Sequence, residues 1–180
     1  QADCGSSWTG PLNFSTASSC LVSTFPYTEG FESGSPNLSC WTNIQEVGAA
    51  DWTYAAGSSG GSISGAYSGS ANARFVSLSP SGGGTPVTKL VSPPLDLSNM
   101  TAPRVSFFYG QEQWYGDQNE LKVYYRKSAN DPWVQLAHYT GDVGSWTQVV
   151  LNLPSHTSTY QIAFEGINNW GRANVLDEVT

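Results

Sequence analysis

Hydrophobic and polar positions alternate in short blocks through the second half of this chain. Leu121-Lys122-Val123-Tyr124-Tyr125-Arg126 is the clearest block; Val105 to Tyr109, Thr147 to Leu153, Tyr160 to Ile167 and Ala173 to Val179 follow the same rule. A strand turns successive side chains to opposite faces, so a period of two predicts strands with one buried face. Trp133 to Leu136 adds a strand after the Asn130-Asp131-Pro132 turn, and Val87 to Val91 adds one that Pro93-Pro94 closes. In the first half, Phe31 to Trp41 reads as the first core strand with its turn, and Phe75 to Leu78 as a short strand before a turn at Ser81 to Gly84. The Gly/Ser-rich stretch 55–72 reads as a long mobile loop or sheet-edge excursion. No segment keeps a helical period for as long as about three turns. About nine or ten short strands with regular turn signals predict an all-β fold of two antiparallel sheets. Residues 1–24 form a polar lead-in, and 25–180 the folded module.

The last of these strands poses an electrostatic problem. Inward-pointing Val175 and Val179 take Asp177 in with them, whereas an inward Leu176 takes Glu178. Phe31-Glu32 sets another acid beside a large apolar residue, and the first and last core strands of a sandwich often lie side by side. A buried carboxylate requires hydrogen bonds, a cationic side chain or an ion. With only seven Lys and Arg in 180 residues, a metal is a real candidate. Ca²⁺ takes about 6–8 oxygen ligands, and Glu32, Asp177 and Glu178 are the expected donors. Asp117 and Asn119, with Glu112 nearby, offer oxygens for a second cation in loop 111–120, although the EF-hand pattern is absent.

Strand parity groups the loops. If the last six strands run antiparallel in succession, loops 111–120, 138–146 and 168–172 share one end of the sandwich. They carry Trp114, Tyr115, Asn168, Asn169, Trp170 and Arg172, beside Asp142, His138 and Tyr139. Tyr and Trp give rigid, amphipathic contact area. The six are therefore the candidate ligand-binding set, for polysaccharide or a surface protein. Trp41, Trp52, Trp133 and Trp146 are assigned to the core or its rim, and the opposite end, with 128–132 and 154–159, is expected to be plain.

Composition narrows the class. A net charge of −7 argues against nucleic acid, and no apolar run is long enough to span a membrane. Charged residues make up only 12% of a chain with 19 Gly and 13% aromatics, a mix that suits a turn-rich β domain. Three cysteines, Cys4, Cys20 and Cys40, match no metal or redox spacing and suggest one disulfide in a secreted or cell-surface protein. Gln1-Ala2-Asp3 is compatible with signal-peptide cleavage, and the halt at Val179-Thr180 inside a strand suggests a fragment of a larger multidomain protein.

Catalysis finds little footing. Gly57 to Gly61 matches GxSxG, but no helix follows to make a nucleophile elbow. His138 and His156 have no metal spacing, and no two acids stand out as a glycosidase pair. The expectation is a non-catalytic module, with a ligand-free structural domain or a jelly-roll lyase or hydrolase as alternatives. Sequons at Asn13, Asn37 and Asn99 arise readily in a Ser/Thr-rich chain.

Phe31-Glu32, Cys40-Trp41, Asp51-Trp52, Leu90 to Pro93, Trp146, Tyr160 to Gly166, Gly171 and Leu176 to Val179 occur in a characteristic order. Over about residues 24–180 the chain thereby resembles the MAM domain and its bacterial relatives, the cleaved-adhesin and choice-of-anchor J domains. The resemblance implies a jelly-roll sandwich, an accessory module on proteases, glycosidases or adhesins, and Ca²⁺ at Glu32 and Asp177. It also implies a Cys20–Cys40 disulfide, with Cys4–Cys20 left open by the long insertion between the cysteines.

Overall fold

The computed structural model describes residues 20–76 and 85–180. Ten strands occur in it: β1 Thr42–Val47, β2 Trp52–Ala55, β3 Asn72–Phe75, β4 Val87–Val91, β5 Arg104–Gln111, β6 Glu120–Arg126, β7 Val134–Tyr139, β8 Val143–Asn152, β9 Gln161–Ile167 and β10 Asn174–Asp177. They build two five-stranded antiparallel sheets, ordered β1-β4-β9-β6-β7 and β2-β3-β10-β5-β8. This is a jelly-roll β-sandwich. Alternation does the work in the middle strands: along β5, Val105, Phe107 and Tyr109 enter the core while Arg104, Ser106 and Phe108 face away. Phe107 of one sheet meets Phe164 of the other edge to face, with ring centroids 5.0 Å apart. Each such side chain contributes roughly 1.5–3 kcal/mol by leaving water.

The amino-terminal part departs from the pattern. Phe31 to Trp41 is not a strand: Glu29 makes one bridge to Val179, Phe31 has φ +58°, and a 3₁₀ turn occupies Leu38–Cys40. Phe31 and Trp41 are nonetheless core residues, packed edge to face at 5.2 Å. The strands that follow, β1 and β2, are short, and β1 is exposed throughout, so it lacks the alternation that would have revealed it. Cys20 and Cys40 form the disulfide, with Cα atoms 5.6 Å apart. Val22 is buried and bridged to Leu95, so the fold has already begun within the expected lead-in. Cys4, Asn13, Ser77-Leu78 and the turn at 81–84 lie outside the described residues.

Stretch 55–72 is a packed layer rather than a mobile loop. Its Ile63 is 4% exposed and joins Ala173 and Val175 in a second apolar cluster on the outer face of the β3-β10-β5 sheet. Gly110 permits this, because a Cβ there would collide with the Ile63 side chain. Trp146 packs on the same cluster, so it belongs to this outer layer and not to the main core.

Candidate functional site

The last strand resolves its conflict at one residue. Glu178 has φ +48°, which breaks the alternation. Leu176 and Val179 therefore both reach the main core, while Val175 and Asp177 lie beneath the Gly/Ser-rich layer. Asp177 is fully buried. Its Oδ2 accepts the backbone N–H groups of Tyr67 (2.9 Å) and Ser68 (3.0 Å), and its Oδ1 accepts that of Glu178 (2.8 Å). Burial nonetheless pushes its carboxyl above the ordinary value, and the Glu178 charge adds to the effect.

Other acids hold the same layer. Glu32 accepts from Ser70 N (2.7 Å), Ala71 N (2.9 Å) and the Ser70 hydroxyl (2.6 Å), bonds that lower its carboxyl below the usual range. Gly69, at φ +66°, leaves the room Glu32 needs, since a Cβ would strike its carboxylate. Glu112 accepts Ser62 N at 2.5 Å. A further acid, Glu29, had no sequence signal of its own. It is fully buried and accepts Phe31 N (2.8 Å), the Ser35 hydroxyl (2.7 Å) and the Tyr27 hydroxyl (3.3 Å).

No ion pair among the described residues involves Glu29, Glu32, Asp177 or Glu178. Oxygens of Glu178 and Asp177 lie 3.0 and 3.8 Å from where a Gly30 Cβ would stand. No three His, Cys, Asp or Glu side chains among the described residues converge as a metal ligand set. A hard cation at this seam would thus draw on two carboxylates and complete its shell from backbone carbonyls and water.

The aromatic loops meet as parity predicts, with one loop shortened at both ends: the β7–β8 connection is only 140–142, because both strands extend further than expected. Gln113 N donates to Asp142 (3.0 Å), Arg172 N to the Glu112 carbonyl (2.9 Å), and Gln111 Nε2 to the Tyr139 and Gly141 carbonyls (3.1 and 2.9 Å). Asn119 is fully buried between them; its Oδ1 accepts the N–H groups of Asn169 and Gly171, both at 2.9 Å, and its Nδ2 donates to the Arg172 carbonyl. These bonds use its amide as a loop clamp and leave it poorly placed as a cation ligand. Asp117 pairs through its backbone with Trp114, closing a hairpin whose two central residues, Tyr115 and Gly116, have φ +49° and +98°.

That turn projects Tyr115 into solvent, 95% exposed, next to Trp114 at 46%. Trp170, at φ +69°, is 38% exposed, and the Arg172 guanidinium lies 5.9 Å from the centre of the Trp114 ring. Asn169 sits at the rim and reaches Glu120. Asn168, by contrast, is withdrawn: 2% exposed, with its Oδ1 on the Trp170 N–H at 3.2 Å. The Gly/Ser-rich layer also touches this end through Ser62 and Glu112, a neighbour that the parity of the last six strands did not include.

The outer face of the other sheet carries a third buried acid. Glu165 binds Lys89, which also binds Glu46; Lys122 approaches at 3.4 Å and the Tyr124 hydroxyl donates at 3.2 Å. Burial by itself would raise the Glu165 carboxyl, but its hydrogen bonds and the Lys89 and Lys122 charges bring it below the ordinary value. Burial and the Glu165 charge push the Tyr124 phenol up to about 12.

Solved structures share this architecture. The K1 cleaved adhesin domain of Lys-gingipain from Porphyromonas gingivalis W83 is 25% identical, with a TM-score of 0.61 over 85% of this chain and 95% of that one. The K2 cleaved adhesin domain of Lys-gingipain is 19% identical, TM-score 0.63, covering 85% and 96%. TmCBM61, solved in complex with β-1,4-galactotriose, is 18% identical, TM-score 0.52, covering 83% and 91%. No functionally curated protein matches the chain by sequence. No helix among the described residues is long and apolar enough to cross a membrane. The family model for the MAM domain (meprin/A5/mu) matches residues 30–180, and the chain belongs to that family.

Proposed function

We propose that this chain is a non-catalytic binding module of a larger secreted or cell-surface protein, and that it takes polysaccharide at the end formed by loops 112–119, 140–142 and 168–173. The carrying observation is the set of exposed aromatics, Trp114, Tyr115 and Trp170, on loops fixed by buried amide hydrogen bonds. Aromatic rings on loops held in place stack on the apolar face of a sugar at a reduced entropic cost. Asn169 and Arg172 supply hydrogen-bonding groups beside them. The disulfide fits an oxidising, extracellular setting, and the likeness to an adhesin domain and to a galactotriose-binding module agrees with a binding role. A calcium ion at Asp177 and Glu178, near Glu32, would brace the seam between residues 29–32 and the last strand and neutralise acids that have no cationic side chain; it would do no chemistry.

Affinity gel electrophoresis in soluble galactan, xylan and mixed-linkage glucan tests the reading. Wild type should be retarded by at least one of these polymers, and Trp114→Ala should lose about tenfold in affinity. Unretarded wild type would refute a polysaccharide ligand, and equal retardation of the two proteins would remove Trp114 from the site.

A further inference from the structure

A second aromatic surface lies away from these loops, on the outer face of the β5–β8 pair. Tyr67, from the Gly/Ser-rich layer, stacks on Phe108 of β5 with ring centroids 3.5 Å apart and planes 14° from parallel. Trp146 of β8 meets Tyr67 edge-on at 6.3 Å. Tyr67 is 48% exposed, so with one ring face against Phe108 the other is presented to solvent. The Tyr67 backbone N–H is held by Asp177, and the Trp146 indole N–H is spent on the Gly65 carbonyl at 3.1 Å.

Two depressions flank this stack along β8. One, of about 270 Å³, lies between residues 62–66 and 144–146. The other, of about 360 Å³, lies over Ser106, Gln148 and Val150 and is walled by Phe25, Arg104 and Thr180 among others. From Gly144 to Val150 a strand rises roughly 20 Å, at about 3.4 Å per residue. The surface is thus a long groove with a ring platform between two hollows, the form that suits a chain and not a single small molecule. Arg104 is the one charged side chain lining either hollow. Hydroxyl and amide groups, from Ser64, Ser106 and Gln148, lie beside apolar ones, including Val150 at 54% exposure.

We infer that this groove is a second ligand surface, which binds an extended, uncharged polysaccharide along β8 with the Tyr67 ring as its stacking platform. A sugar ring offers an apolar C–H face and a rim of hydroxyls, and the groove pairs an aromatic face with hydroxyl and amide donors and acceptors, Arg104 being the one charged residue of its lining. The inference is independent of the loop site.

The test uses the full chain in affinity gels of galactan, xylan and mixed-linkage glucan, with thermal melting to confirm that each variant is folded. Tyr67→Ala should weaken retention about tenfold. Because that change also bares Phe108, Val150→Arg provides a second probe: it alters an exposed position on the floor of the groove and should weaken retention by blocking it. Loss in both variants supports the groove, whatever Trp114→Ala does. Wild-type retention in both, with loss in Trp114→Ala, overturns the groove and keeps the loops. An unretarded wild type, or binding found only to protein ligands, overturns it as well.

Discussion

Glu165 and Asp177 are both buried carboxylates on outer sheet faces, and the two sheets treat them in opposite ways. Glu165 is bound by Lys89, approached by Lys122 and touched by Tyr124, and its carboxyl falls below the ordinary range. Asp177 has three backbone N–H groups and, among the described residues, no ion pair with a cationic side chain, and its carboxyl rises. A side-chain cation neutralises the charge from within the sheet. Backbone donors satisfy hydrogen bonding but leave the charge, and they belong to a Gly/Ser-rich segment that must stay in place to supply them. One face is thus electrostatically complete, while the other has an outstanding negative charge that a bound cation would offset.

The largest effect should come from breaking the complete site. Lys89→Met leaves Glu165 buried with only the more distant Lys122, and urea unfolding should show a loss approaching 3–5 kcal/mol, roughly the cost of orphaning one member of a buried pair. Asp177→Ala leaves the N–H groups of Tyr67, Ser68 and Glu178 without their acceptor, for which about 1–3 kcal/mol is expected. If calcium supplies the missing charge, chelation should lower the melting temperature of wild type, calcium should restore it, and Asp177→Ala should be insensitive to both. A wild type unmoved by chelation would dispose of the calcium seam and leave the contrast between the two acids intact.

The smallest effect is in the pH profile, where the two groups have opposite signs. The lowered Glu165 stabilises the fold above its unfolded value of 4.5, and that stability is lost as pH falls through its folded value. The raised Asp177 acts in reverse: the folded state holds its proton more tightly, so stability declines as pH rises from 3.8 through the folded value. Melting curves in chelator should show a steeper acid-side loss in Asp177→Asn than in wild type, and a shallower one in Glu165→Gln. Profiles that move the same way in both variants would contradict this assignment.

Much of this was legible in the chain and some was not. β5 and β6 announce themselves because their core faces alternate with less buried positions, β9 because its apolar residues recur at every second place although both its faces are buried, and counting them placed the aromatic loops at one end. β1 did not, since an exposed edge strand has no buried face to mark it. The acid in the last strand could be seen, but not which one would be enclosed, because a positive φ at Glu178 is invisible to a rule of alternation. Stretch 55–72 misled for a related reason. Glycine and serine usually signal solvated chain, whereas here small residues let a backbone lie flat on a sheet and offer its N–H groups to Glu32, Glu112 and Asp177. Asn119 reads as a cation ligand and Asn168 as a ligand-binding amide, yet loops packed this closely need both amides to satisfy their own backbone.

The carboxylate clamp also bears on the order in which the molecule assembles. Asp177 grips Tyr67 and Ser68 across 110 and 109 positions of sequence, and Glu32 reaches Ser70 and Ala71 across 38 and 39. Contacts that close such long loops carry a heavy entropic cost until both partners are already placed. The hairpin of β6 and β7, closed by a short turn, has no such handicap. The Gly/Ser-rich layer is expected to settle late and to lift early, and native-state hydrogen exchange at the Tyr67, Ser68 and Ser70 amides, compared with those of β6, would check it.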